Sequence, residues 1–468
     1  MKFIGVDLGT SFIKGAVLDL DALNCAHTLR VPSPEALVGL PPLHHEVAPQ
    51  AILATVCSML DGLLALVPDC AGLVMCGQMH GLVLCDRRGN PLSNAITWLD
   101  QRALAPHPSG KGTYFERVRE RASPPEIRRM GSELRPGLPV CALFTQLESD
   151  QLPSEEAIVT SVPDFVLANL CRTAPLMEPT HGSAFGGLNL ETLNWDTPFL
   201  NRLGLGRLRF PPVRPVGSVV GYYESGDRKI PCYVSVGDQQ AALTGALLEE
   251  GELSINASTG SQVTLISPSL EYGDHQVRPY FDGRFLKIIT HIPAGRSLTA
   301  LANLLSEVAR AYQPQFDPWD YLARAAEKVA ETDLRVDLSF YASTTGTSGS
   351  IGNIREDNLS AGHLFRASYE NMAENFFIQA LRLSPGREWR RLVFSGGLVQ
   401  KIPLLHRLIV ERFGAPGAPA RSRMSPTPED GLTGLLALAL ACSGETGSVS
   451  AAVARLARAY GPMPGERV

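Results

Sequence analysis

The sequence predicts an α/β layered fold that is duplicated into two halves. Short apolar runs alternate with longer amphipathic ones along the chain, as strands and helices do in layered folds. At 468 residues the chain exceeds what one ordinary hydrophobic core serves and suits two or three domains. A strand–turn–strand device with small hydroxyl and Gly residues at its tip opens the chain and returns at residues 254–266. That likeness spans only a dozen residues, which two unrelated hairpins could also share.

Taken in order, residues 2–6 and 12–18 read as strands joined by the turn Asp7-Leu8-Gly9-Thr10-Ser11. A helix is expected over 49–66, then buried strands over 72–76 and 81–85 on either side of Gln78-Met79-His80. The second half is expected to open within 234–249, where a short strand over 233–236 leads through Gly237 and Asp238 into a helix over 239–248. The second hairpin follows. A strand at 391–395 ends in Gly396-Gly397, and Leu404, Leu405, Leu408 and Ile409 mark a helix over 403–413. Another helix is expected near 428–441. Residues 344–352 and 414–428, rich in Gly, Ser and Pro, read as surface loops, the latter able to cover a ligand.

Hydrophobic content of 44% and charged content of 19% describe a globular chain. A formal net charge of -5, without basic runs, supplies no general attraction to nucleic acid or anionic lipid. Nine cysteines without a CxxC pair argue against a disulfide framework or a thiolate zinc site, and for a reducing compartment. No secretory leader pattern opens the sequence. The longest apolar stretch, 431–442, is shorter than the roughly 20 residues a bilayer needs. A cytoplasmic location is expected, with no nucleic acid or membrane as partner.

Asp7 at a strand end could hold a hydrated Mg²⁺, Gly9 would let backbone N–H groups approach phosphate oxygens, and Thr10, Ser11 and Lys14 would add donors. The same letters also make an ordinary hairpin turn. Ser258, Thr259, Gly260 and Ser261 form a second such cradle, and two facing cradles could grip a β- and a γ-phosphate. Gly396 and Gly397 would let an adenine or ribose lie on bare backbone, although a helix-entry turn has the same form. Asp238 is placed to accept a proton from a hydroxyl attacking a phosphoryl group, or simply to cap a helix. Gln78, Met79 and His80 could wall a polyhydroxylated ligand. Trp98, Asp100 and Arg102 could hold a sugar, or be a structural Trp beside a surface ion pair.

In this order the segments resemble the FGGY carbohydrate kinases over nearly the whole chain. Asp7-Leu8-Gly9-Thr10-Ser11 looks like their first phosphate loop, Gly77-Gln78-Met79-His80-Gly81 like the ketose-binding loop, and Trp98-Leu99-Asp100-Gln101-Arg102 like the W-x-D-x-R segment. Ser258-Thr259-Gly260 is similar to the second phosphate loop and Gly396-Gly397 to the adenosine turn. The resemblance implies two ribonuclease-H-like (actin-like) domains, 1–246 and 247–468, with ATP, Mg²⁺ and sugar in the cleft between them. It implies Asp238 as general base, Asp7 on the metal through water, and Gln78, Met79, His80, Asp100 and Arg102 at the sugar. Gly237-Asp238-Gln239-Gln240, residues 278–283 and residues 357–363 resemble sedoheptulokinase segments more than xylulokinase ones. Pro179, His181 and Ile402 depart from the family pattern and point to a changed sugar or adenine contact. The expected partner is a small-molecule sugar, with a homodimer left open. Two other readings share these letters: a chaperone-like or filament-forming ATPase, and a sugar-binding relative without catalysis.

Overall fold

The structure, a computed structural model, describes residues 1–153, 156–415 and 417–461. Its first sheet contains β1 (Lys2–Leu8), β2 (Phe12–Asp19), β3 (Asn24–Pro32), β4 (Leu73–Gly77), β5 (Val219–Ser225), β6 (Arg228–Tyr233) and the short β7 (Val236–Gly237). The strand order is β5-β6-β4-β1-β2-β3, with β7 beside β4. β1, β2 and β3 are successively antiparallel, whereas β4 runs parallel to β1, and β6 and β7 parallel to β4. The second sheet repeats this plan with β8 (Glu252–Asn256), β9 (Ser261–Ser267), β10 (Gln276–Pro279), β11 (Phe285–Ile292), β12 (Arg391–Ser395) and β13 (Ser422–Met424). Its order is β10-β11-β9-β8-β12-β13, with β8, β9 and β11 antiparallel and β12 and β13 parallel to β8. The duplication expected from the two hairpins is therefore a duplication of whole sheets, and the fold is two ribonuclease-H-like α/β units.

Central strands such as β4 are buried at every residue, since helices cover both faces. On one face lies α1 (Pro49–Leu66), which starts at Pro49 because a Pro at the first helical position removes an N–H that would have no partner. It is long and apolar enough to cross a bilayer by length and composition. Here Ile52, Val56, Met59, Leu60 and Leu63 pack into the first core instead. The halves meet where α2 (Asp238–Gly245) crosses α3 (Asp430–Cys442). A Cβ on Gly245 would fall 1.8 Å from the Asp430 carbonyl, and one on Gly434 1.9 Å from the Ala241 carbonyl. Only glycine admits this contact.

Four expectations change. The register pairs Asp7 with Lys14 and Leu8 with Ile13, so Asp7 lies inside β1 and the turn proper is Gly9 to Ser11. Asp238 is the first residue of α2, with Gly237 in the capping position, so the capping role considered for Asp238 does not apply. Residues 414–428 are not merely a surface loop, since they include β13, where Arg423 is 2% exposed and paired with the fully buried Glu252. Residue 416 of that segment lies outside the described residues. Ser350–Gly352, at the end of the other expected loop, pairs with Arg335–Asp337.

Candidate active site

Asp7, Gln78, Asp238, Ser258 and Gly396 all lie at or just beyond the carboxyl ends of the mutually parallel strands of their sheets. That is where α/β sheets leave a crevice for ligands.

On the first sheet, Cys76 stands in the ladder between Asp7 on β1 and Val236 on β7, two residues before Asp238. Burial pushes the Asp7 carboxyl above its ordinary range, and Lys14 and a hydrogen bond with Cys76 pull it back. Asp238 is half-buried at the start of α2, just past the end of β7. Its carboxyl is pushed up to about 7 by loss of hydration and then by the Asp7 charge, against the Gln239 amide and Arg278, which lower it. The Gln239 N–H donates to Asp238 Oδ1 at 2.8 Å and fixes that oxygen. A carboxylate tuned near neutrality suits a general base. Thr10 and Ser11 are exposed at the hairpin tip, where Trp98 Nε1 donates to Thr10 Oγ1 at 2.8 Å. Lys14 is ion-paired with Glu429 at the start of α3, so its charge is shared with the second half.

On the second sheet the two expected nucleotide contacts form one cluster. Gly396 has φ of 87°, and a Cβ there would lie 2.4 Å from the Ala257 carbonyl, so the Gly pair packs directly on the cradle. The Ser258 N–H donates to Ser261 Oγ at 3.1 Å, and Ser258 Oγ donates to Asn256 Oδ1 at 2.8 Å. These bonds shape the loop and leave Thr259 and Gly260 exposed; a Cβ on Gly260 or Gly397 would meet nothing within 4 Å.

The sugar-side residues divide. His80 adopts φ of 65°, and Arg135 Nη2 donates to its Nε2 at 2.8 Å. Burial and the Arg135 charge hold its pKa well below the usual value, which favours the neutral ring. Among the described residues the buried Gln78 Oε1 has no partner, and it is an acceptor that a hydroxyl could satisfy. Met79 is turned inward, its sulfur 3.0 Å from where a Cβ on Gly237 would stand, so it packs behind the site. Asp100 and Arg102 are buried against each other through two bonds of 2.8 Å, with Asp100 also accepting from the His45 N–H. Arg102 is also ion-paired with Glu46, and the buried group braces the segment that presents Trp98, which is 44% exposed. His181 is fully buried and Ile402 is 6% exposed within the second core, so neither lies open to a ligand.

Glu133, Arg135, Gln239 and Arg278, for which the sequence alone suggests no role, stand beside these residues. Glu133 takes Arg278 Nε at 2.9 Å and Arg135 Nη2 at 3.2 Å, and the two cations hold its carboxyl far below the usual range. A Glu and an Arg two residues apart between Gly131 and Gly137 are a weak local signal, and their partner Arg278 is remote in sequence.

Residues 2–245, just over half the chain, match the N-terminal domain of the FGGY family of carbohydrate kinases. The chain belongs to that family. It is an ATP-dependent sugar kinase. The kinase is 22% identical over 460 residues to the sedoheptulokinase of Mus musculus, covering 88% of this chain and 93% of that one. A glycerol kinase of Thermus brockianus is 32% identical over 187 residues, 38% of this chain and 36% of that one. Among solved structures, a ligand-bound xylulose kinase from Lactobacillus acidophilus superposes with a TM-score of 0.81 at 17% identity, over 98% of this chain and 96% of that one. The Plasmodium falciparum glycerol kinase with ADP gives 0.80 at 18% identity, over 97% and 92%. These two share the kinase's fold.

Among the described residues no three His, Cys, Asp or Glu side chains converge as a metal cage. One or two carboxylates with substrate phosphates is how Mg²⁺ is commonly bound, and Asp7, a hard oxygen donor beside a second carboxylate, fits that pattern.

Proposed function

We propose that the kinase transfers the γ-phosphoryl group of ATP to a hydroxyl of a ketose, with sedoheptulose as acceptor and sedoheptulose 7-phosphate as product. The observation that carries transfer to a hydroxyl is Asp238, a carboxylate poised near neutrality at the start of α2 with one oxygen held by the Gln239 N–H. It accepts the hydroxyl proton as the oxygen attacks phosphorus in line. Asp7 holds Mg²⁺ through water, and the metal supplies charge neutralisation on the phosphates. Thr10, Ser11, Ser258, Thr259 and Gly260 orient the phosphates, Lys14 adds charge there, and Gly396 and Gly397 receive the adenosine. Gln78 and His80 face the sugar, with Met79, Asp100 and Arg102 shaping its wall from behind. The chain divides at 246/247 into a sugar-side and an adenosine-side domain, and the enzyme works in the cytoplasm.

Near full-length likeness to sedoheptulokinases supports the choice of acceptor. The xylulose kinases among the structural neighbours keep D-xylulose as the second reading. A coupled assay of ATP consumption against ketoses of four to seven carbons, with polyols as controls, separates them. Sedoheptulose is expected to give the highest kcat/KM; a higher value for D-xylulose or a polyol replaces it as the acceptor. Asp7→Asn is expected to raise the Mg²⁺ concentration needed for half-maximal transfer, and an unchanged requirement removes Asp7 from the metal.

A further inference from the structure

A line of polar contacts runs from the sugar side of the crevice to the second phosphate cradle, passing beside Asp238. His80 Nε2 accepts from Arg135, and Glu133 accepts from both Arg135 and Arg278. Arg278 Nε lies 2.9 Å from Glu133 Oε2, and Arg278 Nη1 donates to Gln239 Oε1, on the residue that follows Asp238. Gln239 Nε2 then donates to Gln262 Oε1 at 3.0 Å, and Gln262 directly follows Ser261 of the cradle. Glu133 and Arg278 lie 145 residues apart, on opposite halves of the chain.

The surroundings make this line stiff. Arg278 is 5% exposed and Glu133 9% exposed, so water competes little for either. The Val277 N–H donates to the Gly131 carbonyl at 3.0 Å, and a Cβ on Gly131 would lie 2.1 Å from the Val277 carbonyl. The segments carrying Glu133 and Arg278 are thus clamped by backbone contact. Gln239 uses its amide in both directions, accepting from Arg278 and donating to Gln262. It cannot follow one neighbour without drawing on the other.

We infer that Arg278 and Gln239 are positioning residues that make sugar occupancy at His80 and ATP occupancy at the Ser258–Gly260 cradle favour each other. The inference rests on the proposed placement of sugar at His80 and phosphates at the cradle. A sugar hydroxyl that shifts His80 and Arg135 draws on Glu133 and Arg278, and because the line is stiff the displacement passes through Gln239 to the strand that carries the cradle. Such coupling also suppresses hydrolysis, since ATP is gripped fully only when an acceptor is present.

The test measures binding, not turnover. A non-hydrolysable ATP analogue with an imido bridge between the β- and γ-phosphates is titrated calorimetrically with Mg²⁺, with and without a saturating amount of whichever acceptor turns over best in the screen, sedoheptulose being the expected one. The unaltered kinase is expected to bind the analogue about 5- to 150-fold tighter with sugar than without, the ordinary range of coupling between sites. In Gln239→Leu, which leaves no charge unpaired, and in Arg278→Lys, the factor is expected to fall below about twofold. Affinity for the analogue without sugar is expected to stay near that of the unaltered protein. A coupling factor retained in Gln239→Leu, or the absence of coupling in the unaltered kinase, overturns the inference and leaves the contacts as a strut. Failure of the ketose reading shows separately, as no ketose turnover in the acceptor screen with coupling to another sugar intact.

Discussion

Asp238→Asn is expected to lower phosphoryl transfer about 10²–10⁴-fold while the sugar still binds. Asn keeps the shape of the side chain and can still meet a hydroxyl with its amide, so the pocket changes little. What it cannot do is take up the proton that the attacking hydroxyl must lose. The measurement is single-turnover transfer alongside sugar affinity by calorimetry. Turnover near normal would remove Asp238 from its role, and lost sugar affinity would make it a binding residue instead.

The same carboxyl sets a pH dependence. Its pKa of about 7 means that the basic form predominates only above neutrality, so kcat/KM for the sugar is expected to fall as pH drops below 7. Part of that elevation comes from the Asp7 charge, which disfavours a second negative charge nearby. Asp7→Asn should therefore lower the Asp238 pKa in the metal-free kinase, read by carboxyl NMR, whereas the acid limb of the MgATP-bound enzyme, in which the metal offsets the Asp7 charge, should move little. The Arg278 charge acts in the opposite sense, and Arg278→Gln should move the limb toward higher pH.

Strand ends are the most legible part of this site. Asp7, Asp238, Ser258 and Gly396 each follow an apolar run and lie next to or near a Gly, so a single pass along the chain finds them. Helices 49–66 and 403–413 are legible to the residue because a Pro opens each and apolar spacing fills it. Strand β13 is not, since Ser422-Arg423-Met424 carries no alternation, and Arg423 is held there by Glu252, 171 residues earlier. The Glu133–Arg278 pair is hidden for the same reason. Asp100 and Arg102 show a different limit, because the same two letters describe an open sugar contact and a closed buried pair. Only packing around Arg102, which is 2% exposed, distinguishes them.

Glu252→Gln is expected to cause a large loss of stability. Glu252 is fully buried where β8 begins and binds Arg423 on β13 at 2.7 Å and Arg391 on β12. Arg423 also donates to the carbonyls of Ala246 and Leu247 at 2.8 Å each, just beyond α2. Gln would leave the Arg423 guanidinium buried without its counter-charge, which costs about 3–5 kcal/mol. The ion pairs hold the Glu252 pKa below its ordinary 4.5, so their contribution is complete at neutral pH and is lost only as pH falls through that depressed value. Chemical denaturation at pH 7 should show the full loss, whereas at the acid end of the accessible range the variant and the unaltered kinase should converge. Because Arg423 ties the end of α2 to the second sheet, a loosened pair should also lower kcat by letting Asp238 drift at the other end of that helix. A variant as stable as the unaltered protein would mean that Arg423 finds enough partners in the two carbonyls alone.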